Sequence, residues 1–260
     1  VTVTFTGQVT RIGRSAFAGC TQLRRVDGFG AVTCVMSQAF AGCTALTELA
    51  VPGTVTEIGT GAFSACTGLT AVTLAPGVRS LGAYAFAACT ALRRIDLPDG
   101  MTLLGSGLFS GCTALTELPL PDDVAWVEPR LCENCTALQN IVLPATMTEV
   151  PRGLLRGCTG LRRVTLQGAV TAVGNGAFAG CDALADVYFT GTRAQWDAVA
   201  VGANNARLTA AAVHLSAPAH TYPEAWTVVR APTCTDDGLR TRTCLDPGCG
   251  KTLSETIPAL

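Results

Sequence analysis

The stretch VRSLGAYAFAACTALRRIDLP, residues 78–98, contains one unit of a repeated pattern. The pattern recurs every 23 residues, the distance in sequence from Cys66 to Cys89. The cysteine of this unit, Cys89, has equivalents at the same spacing: Cys20, Cys43, Cys66, Cys112, Cys135, Cys158 and Cys181. Each of these cysteines is followed three residues later by a leucine. A fixed period, kept without insertion or deletion over this length, is typical of a solenoid built from stacked repeats.

Three apolar groups recur in each unit, and in this one they are Val78 with Leu81, Ala85 with Phe86, and Leu92 with Ile95 and Leu97. The last group ends in strict alternation, which predicts a short strand. The first group predicts a second extended segment, and the spacing around Ala-Phe predicts a tight helical or 3₁₀ turn. One unit cannot bury all three groups alone, so stacking must bury them in a continuous core.

The eight repeated cysteines form a ladder rather than a disulfide framework. Neighbouring coils of a solenoid lie about 4.8 Å apart, so each thiol has identical neighbours above and below. Equivalent neighbours on both sides define no unique pairing. The ladder cysteines are therefore predicted to be buried free thiols that pack as small hydrophobes.

The pattern VTxIGxxAFxxCTxLTxVxLP resembles the BspA-like, or Treponema-type, class of bacterial leucine-rich repeats, from residue 1 to about residue 190. The resemblance implies a right-handed leucine-rich repeat solenoid of short parallel strands and tight helical turns. It also implies a protein of the bacterial cell surface or a secreted protein. Members of that family are implicated in adhesion to host extracellular-matrix proteins and to other bacteria.

The outward side chains of the repeated strand are the predicted binding face, because solenoids use such a surface for extended contacts. The residues expected to bind a protein or glycan there are Arg25, Asp27, Glu48, Arg94, Asp96, Glu117, Asn140, Arg163, Asp186 and Tyr188. The alternative is a solvated face whose charges only keep the protein soluble, since the face is poor in aromatic anchors.

The sixth and seventh units depart from the pattern. Cys132 replaces the phenylalanine and forms a C-x-x-C pair with Cys135, which is either a redox or metal pair or a smaller core substitute for phenylalanine. Trp126 lies on an outward column that also carries Cys34. In the seventh unit, the Ala-Phe pair becomes Leu154-Leu155.

The repeats are predicted to occupy residues 1–190 and a cap to occupy residues 191–216, where the pattern resembles the TGTxxQW segment that follows such repeats. Thr192 and Gln195 have capping-box spacing, which predicts a short helix. Trp196 is expected to cover the last coil, the alternative being a ligand contact. Residues 211–215 alternate and predict a closing strand, and residues 217–219 a linker.

Residues 220–260 have a different composition and predict a small β-rich module with three strands separated by Asp-Asp-Gly and Asp-Pro-Gly turns. This stretch resembles modules repeated in surface proteins of gut Firmicutes. A segment this short cannot bury a sufficient core, so a staple is expected. The alternatives are a structural zinc ion held by His220, Cys234, Cys244 and Cys249, or one disulfide with a free thiol.

Composition and motifs indicate a binding protein rather than an enzyme. The net charge is −1 with 14% charged residues, so no electrostatic signature of nucleic-acid binding is present, and no apolar run has transmembrane length. The two histidines, His214 and His220, stand in no nucleophile or metalloprotease motif. The opening VTVTF reads as the middle of a strand, which predicts a fragment of a longer protein.

Three functions therefore remain open from the sequence. The first is a non-catalytic surface or secreted protein that uses its repeats for adhesion. The second is the accessory binding region of a larger secreted enzyme. The third is an intracellular effector in a host cell, which the free thiols would tolerate and the segment 220–260 fits poorly.

Overall fold

The computed structural model describes residues 1–5, 7–215, 225–232, 237–243 and 252–259. The repeats form a solenoid of short parallel strands, and an antiparallel sheet follows near the end of the chain. In chain order, the solenoid and its cap contain β1 (Thr2–Thr4), β2 (Arg11–Ile12), β3 (Arg25–Asp27), β4 (Cys34–Val35), β5 (Glu48–Val51), β6 (Glu57–Ile58), β7 (Ala71–Leu74), β8 (Ser80–Leu81), β9 (Arg94–Asp96), β10 (Leu103–Leu104), β11 (Asn140–Val142), β12 (Glu149–Val150), β13 (Arg163–Leu166), β14 (Ala172–Val173), β15 (Asp186–Phe189), α1 (Arg193–Asp197), β16 (Ala200–Val201), α2 (Ala206–Ala210) and β17 (Ala212–Leu215). The antiparallel sheet contains β18 (Thr227–Arg230), β19 (Gly238–Thr243) and β20 (Thr252–Ile257).

Two parallel ladders run along the solenoid, and coils are numbered here by their ladder cysteine, from Cys20 in coil one to Cys181 in coil eight. The odd-numbered strands β1 to β17 form the long ladder, and the even-numbered strands β2 to β16 form the short ladder. In the long ladder, Val72 pairs with Leu49 on one side and Ile95 on the other. Paired residues are thus one repeat apart, and most coils extend both ladders by one strand. Coil five joins the long ladder, and coil six the short ladder, only through the isolated bridges Arg94–Glu117 and Leu104–Val127.

A tight turn joins the two strands of each coil, and its amides bond alternately within the coil and to the next one. In coil four, the Ala87 N–H donates to the carbonyl of Tyr84, three residues back, at 3.0 Å. The neighbouring Ala88 N–H donates instead to the carbonyl of Ser110 in coil five, at 2.7 Å. The predicted tight turns therefore take the form of stacked turns that hold adjacent coils together.

This alternation places two residues of each turn at positive φ. In coil four they are Tyr84, with φ of 56°, and Ala88, with φ of 57°. Glycine adopts this conformation without steric cost, whereas a Cβ atom is crowded there. Most other coils accordingly have glycine at one or both equivalent positions, among them Gly61, Gly107, Gly153 and Gly176 for the first, and Gly19, Gly42, Gly111, Gly157 and Gly180 for the second.

A column of phenylalanines fills the space between the two ladders. The rings of Phe40 and Phe63 stack with centroids 5.1 Å apart, and those of Phe63 and Phe86 lie 5.5 Å apart. Phe17 and Phe109 extend the stack at its two ends. Each ring lies one coil above its neighbour, so consecutive rings stack on one another. This stacking adds to the stabilisation that burial alone provides.

The ladder cysteines from coil two onward are buried free thiols, whereas Cys20 in coil one is exposed. Each buried thiol donates to a backbone carbonyl of the preceding coil, as Cys89 Sγ does to the Phe63 carbonyl at 3.2 Å. Burial raises the pKa of the Cys43 thiol to about 11 and that of Cys181 to about 12. The thiols are therefore protonated donors that link adjacent coils, which accords with their predicted packing role.

The phenylalanine column is interrupted in coils six and seven. Cys132 occupies the column position in coil six and is fully buried, and Leu155 occupies it in coil seven. The carbonyl of Cys132 accepts the hydrogen bond of the Cys158 thiol at 3.0 Å, just as a phenylalanine carbonyl does elsewhere. Cys132 thus occupies the core position that phenylalanine occupies in most coils.

The last coil is covered by a short cap. Thr192 and Gln195 form the capping box expected from their spacing, at the start of α1. The ring of Trp196 packs on Phe189 with centroids 5.4 Å apart, and Val199 also packs against the core. Strand β17 closes the long ladder by pairing with β15. Trp196 therefore covers the end of the core rather than facing a ligand.

The antiparallel sheet follows the order β18-β19-β20. Its strands agree with the three strands predicted for the β-rich module. The guanidinium groups of Arg240 and Arg242 lie over the ring of Trp226, at 4.8 and 4.2 Å from its centroid. The short sheet is thus supported by cation–π contacts on one aromatic ring.

Candidate binding face

The ten residues predicted to bind a ligand lie on one surface, the outward side of the long ladder, which we call the strand face. Residue alternation along each strand places their inward neighbours, such as Val72 and Ile95, in the core. Two columns result: residues in line with Arg94, and residues in line with Asp96. The first column contains Arg25, Glu48, Glu117, Asn140, Arg163 and Asp186, and the second contains Asp27 and Tyr188.

The middle of the strand face is occupied by an ion-pair cluster. Arg94 bonds to Asp96 in its own coil, at 2.8 Å, and to Glu117 in the next coil, at 2.6 Å. The hydrogen bond from Arg94 to Asp96 is the main cause of the raised pKa of the Arg94 guanidinium. These three side chains satisfy one another, so a ligand would have to compete with the pairs already formed.

The first coils of the strand face are more open. Arg25 and Asp27 form an exposed pair at 2.9 Å. Glu48 is exposed and stands opposite Ala71 of the next strand. Exposed pairs of this type contribute only about 0.2–1 kcal/mol, so this end of the face has little rigid structure to offer a partner.

The other end of the strand face carries a compact cluster of aromatic and charged groups, which we call the aromatic cluster. The Arg163 guanidinium lies 5.0 Å from the centroid of the Tyr188 ring. The opposite neighbour of Tyr188 is His214, whose ring stacks on it at 4.7 Å. His214 Nε2 is in turn 2.8 Å from Asp186 Oδ1. Asn140 is the register partner of Arg163 in the preceding coil, next to this cluster.

His214 is the member of the aromatic cluster that sequence reasoning did not place on the strand face. Its register partner is Tyr188. Between coils, register partners such as Thr165 and Tyr188 are one repeat apart in the sequence. Tyr188 and His214 are further apart than that, because the cap inserts α1 and α2 before β17. The alternation of residues 211–215 predicted the strand but not its register. The other three members, Arg163, Asp186 and Tyr188, were all among the predicted residues.

The four residues considered for zinc, His220, Cys234, Cys244 and Cys249, lie outside the described residues. The choice between a structural zinc ion and a disulfide therefore stays a prediction. Intact-mass measurement of the purified chain, combined with zinc analysis, distinguishes the two. Within the residues that the structure describes, no helix has the length and hydropathy needed to cross a membrane.

The geometry defines a leucine-rich repeat solenoid, and comparison with known families identifies its type. The model of the BspA-type leucine-rich repeat region matches in six copies, over residues 1–106 and 79–200. The chain therefore belongs to the BspA-type leucine-rich repeat family. Among curated proteins, none matches the chain at a significant level.

Comparison with solved structures finds leucine-rich repeat proteins from bacteria among the matches. A T. pallidum leucine-rich repeat protein is 30% identical, with a TM-score of 0.55, over 59% of this chain and 72% of its own. A leucine-rich cell surface protein from Faecalibacterium prausnitzii is 24% identical, with a TM-score of 0.43, over 76% of this chain and 62% of its own. A leucine-rich repeat protein from Bacteroides ovatus is 23% identical, with a TM-score of 0.48, over 85% of this chain and 72% of its own.

Proposed function

We propose that this chain is a non-catalytic binding region of a bacterial surface or secreted protein, and that its strand face binds a protein partner during adhesion. The observation that carries the proposal is the aromatic cluster, in which Tyr188 is held between Arg163 and His214. Arginine and tyrosine are enriched among the residues that dominate protein interfaces. A ring fixed on both sides loses little conformational entropy when a partner binds.

The charge pattern of the strand face supports the same placement. Arg94, Asp96 and Glu117 are engaged with one another, and breaking their pairs would cost part of the binding energy. The aromatic cluster instead offers a stacked surface, with Arg163 and Tyr188 half-buried, that a partner can cover without disrupting it. We therefore place the centre of the interface at the cap end of the strand face and the ion pairs at its rim.

The test is binding of the full chain to purified extracellular-matrix proteins, such as laminin and collagen, and to whole bacterial cells. Replacing Tyr188 by alanine together with Arg163→Ala should weaken binding by about tenfold or more, since hot-spot side chains carry most of an interface's affinity. The matched control is Arg25→Ala with Asp27→Ala, an exposed pair at the other end of the same face. Equal loss in both variants, or none in the first, would refute the proposed centre.

A further inference from the structure

A second surface feature lies on the short ladder, where coils six and seven meet. In other coils, a backbone N–H donates across this joint, as Gly82 does to the Ile58 carbonyl and Gly174 to the Val150 carbonyl. The equivalent residue in coil seven is Pro151, which has no N–H to donate. Between residues 126–128 and 149–151, all of them described, the ladder pairing is interrupted.

A groove opens at this interruption. It has a volume of about 730 Å³, within the range of ligand-binding clefts, and Trp126, Met147 and Pro151 line it. Trp126 is 66% exposed. Its ring is therefore not stabilised by packing in the core and is accessible to a ligand. Polar groups share the walls, among them Glu149 and Asn175. The groove thus combines a flat aromatic surface with hydrogen-bonding groups.

A smaller pocket of about 360 Å³ adjoins the groove, since Arg152 and Asn175 line both. Its other cationic residues are Arg130 and Arg156. The same turn positions in most coils hold small residues; the equivalents of Arg156, for example, are Ala41, Ser64, Ala87, Ser110 and Ala179. Arg156 lies 3.8 Å from Glu133, so the three guanidinium groups are only partly compensated. Departures from the repeat therefore coincide at one joint: an aromatic ring, a proline and three arginines.

We propose that this joint is a binding site for an anionic glycan, separate from the strand face. The C–H groups of a sugar ring carry partial positive charge and pack on the electron-rich face of tryptophan, here Trp126. Arginine binds carboxylate and sulfate groups through paired hydrogen bonds, which suits Arg152 and Arg156. The two parts of the site are contiguous, so one oligosaccharide reaches both.

Glu149 favours a glycan over an acidic peptide. Sugar hydroxyl groups donate as well as accept, so a carboxylate in the wall is a useful partner for them. The side chains of an acidic peptide offer Glu149 only like charge and no donor, whereas a sugar ring places hydroxyl donors beside its acid groups. The Oδ1 atom of Asn175 accepts a hydrogen bond from the Ala203 amide, at 2.9 Å. Its NH₂ group points away from that contact and can donate to a ligand. The groove therefore matches a ligand that has both hydroxyl and acid groups.

The test is calorimetric titration of the full chain with three tetrasaccharides of similar size: a sulfated one from heparin, a carboxylated one from polygalacturonate, and neutral cellotetraose. We expect at least one anionic sugar to bind about tenfold more tightly than the neutral one, and the two anionic sugars separate sulfate from carboxylate recognition. Absence of binding by both anionic sugars, or equal binding by the neutral one, would overturn the proposal.

Variants assign the binding to this joint. Trp126→Ala should raise the Kd about tenfold, and Arg152→Gln with Arg156→Gln should do the same. The matched control is Arg11→Gln with Arg14→Gln, which removes the same number of charges from coil one, where Arg14 occupies the repeat position of Arg152. Loss of binding in this control equal to that in the Arg152→Gln with Arg156→Gln variant would contradict the assignment, since it would show a general charge effect.

Three further measurements complete the test. The Trp126→Ala variant should melt at the same temperature as the parent, since its ring is exposed. A poly-glutamate peptide that binds as tightly as the sugars, with no dependence on Trp126, would overturn the glycan assignment in favour of an acidic peptide. Tyr188→Ala should retain glycan binding, because the strand face lies on the other ladder, so failure of one proposal leaves the other testable.

Discussion

The amide nitrogen of Phe178 lies 3.0 Å from the Oδ1 atom of Asn205. In earlier coils the equivalent amide donates to a backbone carbonyl of the next coil, as Phe86 does to Leu108. Coil eight is followed by the cap, and the Asn205 side chain supplies the missing acceptor. Its Nδ2 atom also donates to the carbonyls of Gly174 and Gly202, at 3.0 and 2.8 Å. One buried amide thus completes the hydrogen bonding at the end of the solenoid.

Asn205→Ala should lower the free energy of unfolding by about 1–3 kcal/mol, because it leaves the amide of the buried Phe178 without an acceptor and removes the bonds to the Gly174 and Gly202 carbonyls. Urea denaturation measures this loss. The control is Asn204→Gly, since Asn204 is exposed and has φ of 62°, a conformation that glycine accepts without cost. A loss below about 0.5 kcal/mol in the Asn205 variant would contradict its role in the cap.

Phe86→Ala should cost about 3–5 kcal/mol, because it removes a fully buried ring and leaves a cavity between two stacked rings. Phe86→Leu should cost clearly less, since Leu155 occupies the same column position in coil seven. Chemical denaturation of both variants gives the comparison. Equal losses for the two would mean that ring stacking, rather than filled volume, dominates the column.

Ala88→Gly should stabilise the chain by about 1 kcal/mol, because Ala88 is exposed and has φ of 57°, where its Cβ atom is crowded and glycine relieves the strain. The matched control is Ala87→Gly one residue earlier, outside the positive-φ positions, which should destabilise the chain through the added flexibility of the unfolded state. A thermal melt of the two variants should move in opposite directions, and a shift in the same direction would be inconsistent with this account.

The stability of the solenoid should fall as the pH rises above about 9. Burial raises the pKa of the Cys43 thiol from its ordinary value of 9.0 to about 11, and that of Cys181 to about 12. Between these values the unfolded chain has released protons that the folded chain retains, so rising pH favours unfolding, by at most about 1.4 kcal/mol per pH unit for each thiol. Urea midpoints at pH 7.5, 9 and 10.5 under reducing conditions measure the slope. Replacing both cysteines by alanine should reduce the slope by the contribution of two thiols and leave that of the other buried ladder thiols, such as Cys66 and Cys89, whose pKa values burial also raises. An increase in stability over this range would contradict the sign.

Alkylation should separate the exposed thiol from the ladder. Cys20 is exposed, whereas Cys66, Cys89 and Cys112 are buried and have raised pKa values because burial disfavours the thiolate. The thiolate is the reactive form, so iodoacetamide at pH 8 should modify Cys20 in the folded chain and the other three only after denaturation. Peptide mass mapping reads out each site. Modification of Cys89 at the rate of Cys20 would show that the ladder is not buried as described.

Much of the fold followed from the repeat, because a fixed period places equivalent residues at equivalent points of every coil. Leu92 and Ile95 were predicted to lie in the core and Arg94 and Asp96 to face outward, and both pairs do so. The sequence allowed two interpretations of Cys132, a reactive pair with Cys135 or a core substitute for phenylalanine. Cys132 is fully buried in the phenylalanine column, which supports the second interpretation. The turns were less predictable, since positive φ at Tyr84 and Ala88 is imposed by bonds to the next coil rather than by those residues themselves.

The sequence by itself thus determined the architecture and the ten residues of the strand face, since period and alternation depend only on residue spacing. Only the tertiary structure decided which of those residues are engaged with one another, and it added His214 beside Tyr188, where the cap lengthens the interval between paired residues. It also showed that Pro151 leaves a groove beside Trp126. These features depend on which atoms meet between coils, and a repeat pattern that treats every coil as equivalent contains no information about the joints at which coils differ.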